Sequence, residues 1–252
     1  MRKFLGIVRY TFVEIFRNKV YYVLLLFAGV LILSTLLLGS LGGEQRNRMI
    51  IDMGLGSIEI FALAIAVFAA ITLISDEMSS RTLYLVLTRP VARYQFIVGR
   101  FFGLIAIISV AYVLMAFSHA ALCRIVHVPL DAHYVLSLYF SWEKIVMITA
   151  VAMFFSLFAT STMSAATFTF FFWILGHFSS ELQFLAKKAS QPVTTFICSV
   201  FYYIAPNFEL LNVRDLPSSS GMTWLWPAAG YGFFYTASAL LLTILLFRKR
   251  EF

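Results

Sequence analysis

The chain has 252 residues, 61% of them hydrophobic and only 12% charged, with a net charge of +7. Soluble domains run near half apolar and a quarter charged, so this balance excludes a water-soluble globular domain and points to lipid. The basic residues gather at the chain ends and in one central loop, which fits an anionic membrane surface and not a nucleic-acid partner.

Residues 1–19 carry Phe4, Leu5, Val8, Phe12, Ile15 and Phe16 at helical spacing, leaving Arg2, Arg9, Arg17 and Lys19 for water or headgroups. This pattern predicts an amphipathic interfacial helix. With the following apolar run it superficially resembles a signal peptide. No convincing small-residue cleavage site is present, however, and Val20 to Leu38 is long enough to span a bilayer, so the run is read as a retained first helix.

A span needs about 20 apolar residues at about 1.5 Å each. Six windows qualify, at about 20–38, 57–75, 101–122, 143–162, 164–180 and 228–247. The fourth and fifth are separated only by Ala159-Thr160-Ser161-Thr162-Met163-Ser164, which predicts an antiparallel hairpin; one continuous helix is the alternative. With both termini cytoplasmic, 12 of the 19 basic residues fall inside and eight of the 12 acidic residues fall outside. The positive-inside rule therefore selects that topology.

The loop 76–100 holds Glu77 and Arg81 in the favourable order for a helical ion pair, with Leu83, Val86 and Leu87 as an apolar stripe. Pro90 disfavours helix at Arg89, so the reading is a short amphipathic helix, a turn, and a second helix entering the third span. The region 181–227 is too polar to span. Within it, Val193 to Ala205 is apolar but too short to cross, as expected for a re-entrant or interfacial helix. Pro206-Asn207 ends that helix, Leu216 to Gly221 reads as a loop, and Trp224 and Trp226 fit an aromatic belt.

Catalytic chemistry is missing. The sequence has no G-x-x-x-x-G-K-[ST] phosphate loop, Gly-x-Ser-x-Gly elbow, His-Glu-x-x-His pair or Cys-x-x-Cys pair. Two cysteines, Cys123 and Cys198, make no disulfide framework. Glu59 and Glu143 fall near predicted outer span ends, where water reaches them cheaply, and this argues against a proton or sodium relay. His119, Cys123 and His127 are each four apart, with Met115 one turn earlier, and offer soft and imidazole ligands for copper or zinc. The competing account is a small apolar cysteine between interfacial histidines, and three ligands on one helix converge poorly on one ion. His177 is read as packing or interfacial. The fifth span offers Thr167 and Thr169, and the mostly apolar interior favours a lipid-like or hydrophobic cargo, or no cargo, over a sugar or an ion.

Glu77-x-x-Ser80-Arg81-Thr82-Leu83, then Leu87-x-Arg89-Pro90-Val91-x-Arg93 and Gly99-Arg100-Phe101, resembles the first cytoplasmic loop of ABC-2 type transporter permeases. The likeness is nearest to the bacterial group with nitrous-oxide reductase maturation and gliding-associated permeases. Tyr202 to Glu209 resembles the segment before that group's last span, and Phe247 to Phe252 its basic, Phe-ended tail. The resemblance implies one all-α permease domain over 1–252, with six transmembrane helices, the interfacial helix 1–19, a coupling loop at 76–100 and an outer re-entrant segment in 181–227. It implies a bacterial inner-membrane location and a dimer of permeases on separate P-loop ATPase subunits. ATP and magnesium would belong to those subunits, with no cofactor on this chain. Glu77, Arg81, Thr82, Arg89, Pro90 and Arg93 would meet or position the ATPase, and Val193 to Ala205 would close the exit. The function so implied is ATP-driven export of a hydrophobic or lipid-like substrate. The alternative is a membrane anchor or mechanotransmitter that drives an envelope partner without moving a substrate.

Overall fold

A computed structural model describes residues 2–16, 20–41, 43–79, 93–189, 191–215 and 224–249. Among these the chain is all helical: α1 (Arg2–Phe16), α2 (Val20–Leu41), α3 (Arg46–Ser79), α4 (Arg93–Ile125), α5 (Ala132–Phe158), α6 (Thr162–His177), α7 (Ser179–Lys188), α8 (Pro192–Ile204) and α9 (Leu225–Lys249). Short 3-10 turns lie at Gly43–Gln45, Glu209–Leu211 and Val213–Asp215.

Four helices among the described residues are long and apolar enough to cross a membrane, within Arg46–Leu73, Tyr94–Ile125, Ala132–Phe158 and Leu225–Arg248. α2 has 22 residues and α6 has 16. Several helices exceed the expected windows because backbone hydrogen bonding continues past the apolar stretch. α3 has 34 residues, about 51 Å at 1.5 Å per residue, against about 30 Å of hydrocarbon. The break between α5 and α6 falls where the small, polar link is read. Ala159 is extended at φ −75° and ψ 154°, and the Ser161 hydroxyl accepts the Ser164 N–H at 3.2 Å to start α6. The rings of Phe168 and Phe172 lie 5.6 and 5.0 Å from that of Phe155, so the two helices fold back on each other as a hairpin.

α5 is the hub, buried at intervals from Tyr134 to Leu157 and packed by α3, α4, α6 and α9. α3 packs on it, and Ile58, Ala62 and Ala66 of α3 are fully buried at four-residue spacing, the last two with small side chains. Small side chains at that period let two helix backbones approach closely, which is how helices associate where lipid offers no hydrophobic drive. α2 adds Phe27, whose ring packs edge-on against Phe61 at 5.5 Å. At one end of the bundle, named here for His177, α6 stops while α3, α4 and α5 continue. At the other, the rings of Phe96 and Phe247 stack at 6.0 Å and tie the start of α4 to the end of α9.

α1 is a helix over its described length, and it packs against α4. Arg9, Tyr10 and Val13 are exposed, while Thr11 is fully buried. α8 matches the expected re-entrant segment to within a residue at each end, whereas α7 before it was not anticipated.

Candidate functional site

At the His177 end a carboxylate lies in the core. Glu59, on α3, is 4% exposed and is held from three other elements. Its Oε2 accepts from Arg214 Nη2 at 2.7 Å and from the Ser141 hydroxyl at 3.2 Å. Its Oε1 lies 3.4 Å from both Lys144 Nζ and His177 Nε2. Arg214 also donates to Ser141 at 3.2 Å, and His177 Nδ1 lies 3.0 Å from the Trp173 carbonyl oxygen. Lys144 is 3% exposed. The expectation that water reaches Glu59 and Glu143 is therefore overturned. Glu143 is 6% exposed, and α9 presses Gly232 against its carboxylate so closely that a Cβ there would collide with it. Both carboxylates sit at span ends by sequence, but α3 and α5 run on past them and neighbouring elements cover them. His177, read as packing or interfacial, joins this cluster.

Arg214 reaches Glu59 because the segment before it is fastened at several points. The Tyr235 hydroxyl donates to the Ile204 carbonyl at 2.9 Å, and the Tyr231 hydroxyl accepts the Asn207 N–H at 2.7 Å. Phe208 N–H donates to the Gly176 carbonyl at 2.9 Å, and the Phe208 ring is fully buried against Gly176 and His177. Asn207 Oδ1 accepts from Glu209 N–H at 3.1 Å, an Asx turn that directs the chain into the first 3-10 turn. Glu209 reaches back to accept the Ser180 N–H at 3.0 Å, satisfying a donor in the first turn of α7. The stretch Tyr202 to Glu209, singled out in sequence for its family likeness, is thus a strap bolted across α6 and α9. Arg214 follows five residues beyond it, half-buried against Glu59.

At the opposite end, Arg100 of α4 joins α1 to the bundle. Its Nη1 donates to Glu14 Oε2 at 2.7 Å and to the Thr11 hydroxyl at 3.0 Å, and its guanidinium lies 5.2 Å from the centre of the Tyr10 ring. Thr11 in turn fills the notch left by Gly103. Of the expected ATPase-coupling residues, Glu77 lies in the last turn of α3 and Arg93 is the first residue of α4. Arg81, Thr82, Arg89 and Pro90 lie outside the described residues, as does the loop 216–221.

The His119 trio is only partly brought together. His119 Nε2 lies 3.5 Å from Cys123 Sγ, but its Nδ1 is 3.0 Å from the Tyr134 hydroxyl and Nε2 is 3.4 Å from the Ile50 carbonyl oxygen. The ring nitrogens are engaged in tying α3, α4 and α5 together, and α3 passes so close that Gly54 faces the ring directly. Among the described residues no group of three His, Cys, Asp or Glu is placed to hold a metal. The Thr169 and Thr167 hydroxyls donate to the carbonyls of Ala165 and Met163 one turn back, Thr169 from a buried and Thr167 from an exposed position.

Sequence reasoning missed the pairing of Arg214 with Glu59, which are 155 positions apart. The usable signal was Glu59 itself, since an ionisable group in an apolar window calls for a partner. The family described as ABC-2 family transporter protein matches residues 12–252. No curated protein matches the chain.

Proposed function

The chain belongs to the ABC-2 transporter family, and from that membership we propose that this membrane permease works as one half of a split, ATP-driven exporter. The observation that carries the reading is the family match over residues 12–252, from inside α1 to the chain end. In this reading six helices cross the bacterial inner membrane, both termini are cytoplasmic, and the His177 end faces outward. A separate P-loop ATPase docks beneath the segment 77–93, with Glu77, Arg81, Thr82, Arg89, Pro90 and Arg93 as its coupling residues, and a second permease completes the dimer. The α1–α4 joint supports this arrangement, because Arg100 lies seven residues beyond Arg93 and ties that helix to α1. A push on the loop is then delivered to a braced pair of helices. The strap 204–215 serves as the outer closure. Hydroxyls satisfied within their own helices favour a hydrophobic or lipid-like cargo over a sugar or an ion.

The test is purification of the tagged protein in mild detergent, with Glu77→Ala and Arg81→Ala in parallel. A P-loop ATPase co-purifies with the unaltered chain, and its retention or its coupled hydrolysis falls in the variants. Recovery of the chain alone, from cells shown to make the partner, overturns the reading.

A further inference from the structure

α6 and α9 both lean on α5 and leave a groove of about 360 Å³ between them. Val151, Phe154 and Phe155 of α5 form its floor, Phe172 of α6 one wall, and Ala239 and Leu242 of α9 the other. Ile204, the last residue of α8, closes one end. Among the described residues no charged side chain lines it. Its two polar side chains are consumed locally: Tyr235 donates to the Ile204 carbonyl, and Ser238 donates to the Phe234 carbonyl at 2.8 Å. Apolar cavities stay dry, and an empty one forfeits dispersion contacts along its whole lining. The occupant therefore has to be hydrocarbon.

Position says which hydrocarbon. Val151 and Ala239 lie in the inner stretches of helices long and apolar enough to cross a membrane, so the groove sits at acyl-chain depth. Its rim is open sideways. Ile204 and Leu242 are more than half exposed, Ser238 is exposed, and the neighbouring Phe234 and Leu241 present their side chains outward. From Tyr235 to Leu242 the wall runs two turns, about 11 Å at 1.5 Å per residue, a length of several methylenes. We propose that this groove is a lateral acyl-chain site that admits one chain of a membrane phospholipid under a roof made by Ile204. The inference rests on the permease reading and gives its hydrophobic cargo a place to bind. The roof is the least anchored wall, since α8 buries no residue and its end is held to α9 by the Tyr235 hydroxyl.

The test uses the full chain in phosphatidylethanolamine–phosphatidylglycerol vesicles doped with a phospholipid that carries a diazirine at the end of one acyl chain. After photolysis the labelled peptides are mapped by mass spectrometry. Labelling at 151–155 and 235–242 is expected to exceed that on the exposed apolar face of α4 at Val110, Val113 and Phe117. It is expected to be lost in Ser238→Trp, which blocks the mouth from an exposed position, and in Val151→Phe, which fills the floor. Labelling of α4 stays unchanged in both and reports that the bundle is intact. Equal labelling of groove and α4, untouched by Ser238→Trp, means annular lipid only and overturns the proposal. The readout needs no ATPase. Its failure beside a co-purifying ATPase sinks the groove and spares the permease reading, whereas groove labelling without any ATPase does the reverse.

Discussion

Glu59 shows what a single buried charge demands. Its carboxylate is almost wholly removed from water and is compensated by Arg214, Lys144, His177 and Ser141. Replacing an entire buried ion pair by apolar groups can be neutral, but removing one partner strands the other, at about 3–5 kcal/mol. Glu59→Gln keeps the shape and takes away the one carboxylate the cluster shares, so it is expected to cost about that much. Arg214→Gln leaves Glu59 with Lys144 and His177, and the Arg214 side chain is already 22% exposed, so its effect is smaller. Thermal unfolding in detergent should rank the wild type above Arg214→Gln and Arg214→Gln above Glu59→Gln; the reverse order would refute the account. Arg48 and Asp52 make the contrast, as an exposed i,i+4 pair at 3.6 Å. Such pairs contribute about 0.3–0.5 kcal/mol, so Arg48→Ala should leave the midpoint nearly unmoved.

Between elements, two glycines decide whether helices and strap can meet. A Cβ at Gly176 would fall 2.6 Å from the Pro206 carbonyl oxygen and 2.5 Å from the Phe208 ring. Since the nearby oxygen is backbone, the strap itself has to move. Gly→Ala within a helix ordinarily gains about 1 kcal/mol from propensity, so a loss here isolates the steric term. Gly176→Ala is expected to remove hydrogen-exchange protection from 204–211 while α9 stays protected. Gly103 plays the same part for α1, where a Cβ would meet Thr11 at 2.5 Å and the Val8 carbonyl oxygen at 3.0 Å. Gly103→Ala should therefore loosen α1 alone. Exchange measured across α1 checks this, and unchanged protection there would mean that Arg100 and Glu14 suffice to hold the helix.

For the whole molecule, α5 carries the load: α3, α4, α6, α9 and the two 3-10 turns of the strap all pack on it. Under the proposed topology that end is extracytoplasmic, which the chain's own cysteines can test. Cys198 on α8 is half-buried and Cys123 is fully buried. A membrane-impermeant maleimide should label Cys198 in intact right-side-out membranes and miss it in sealed inverted vesicles, with Cys123 silent in both. Labelling of Cys198 from the inverted side alone would reverse the orientation.

The sequence by itself determined the membrane class, the ABC-2 character, the hairpin break at Ala159 to Ser161 and the limits of α8. Each is written in neighbouring residues: hydropathy over about 20 positions, a small polar link, a run too short to cross. The coupling role of Glu77, Arg81, Thr82, Arg89, Pro90 and Arg93 stays a proposal read from a motif, and four of the six lie outside the described residues. Only the tertiary structure decided where polar groups go. Glu59 and Glu143 look hydrated from their places near span ends, and they are buried because α3 and α5 continue and α9 and the strap cover them. Arg214, His177 and Glu59 share no local pattern. Their meeting depends on Gly176 admitting Phe208 and on Asn207 turning the strap, and periodicity along one segment carries no information about which distant element packs on it.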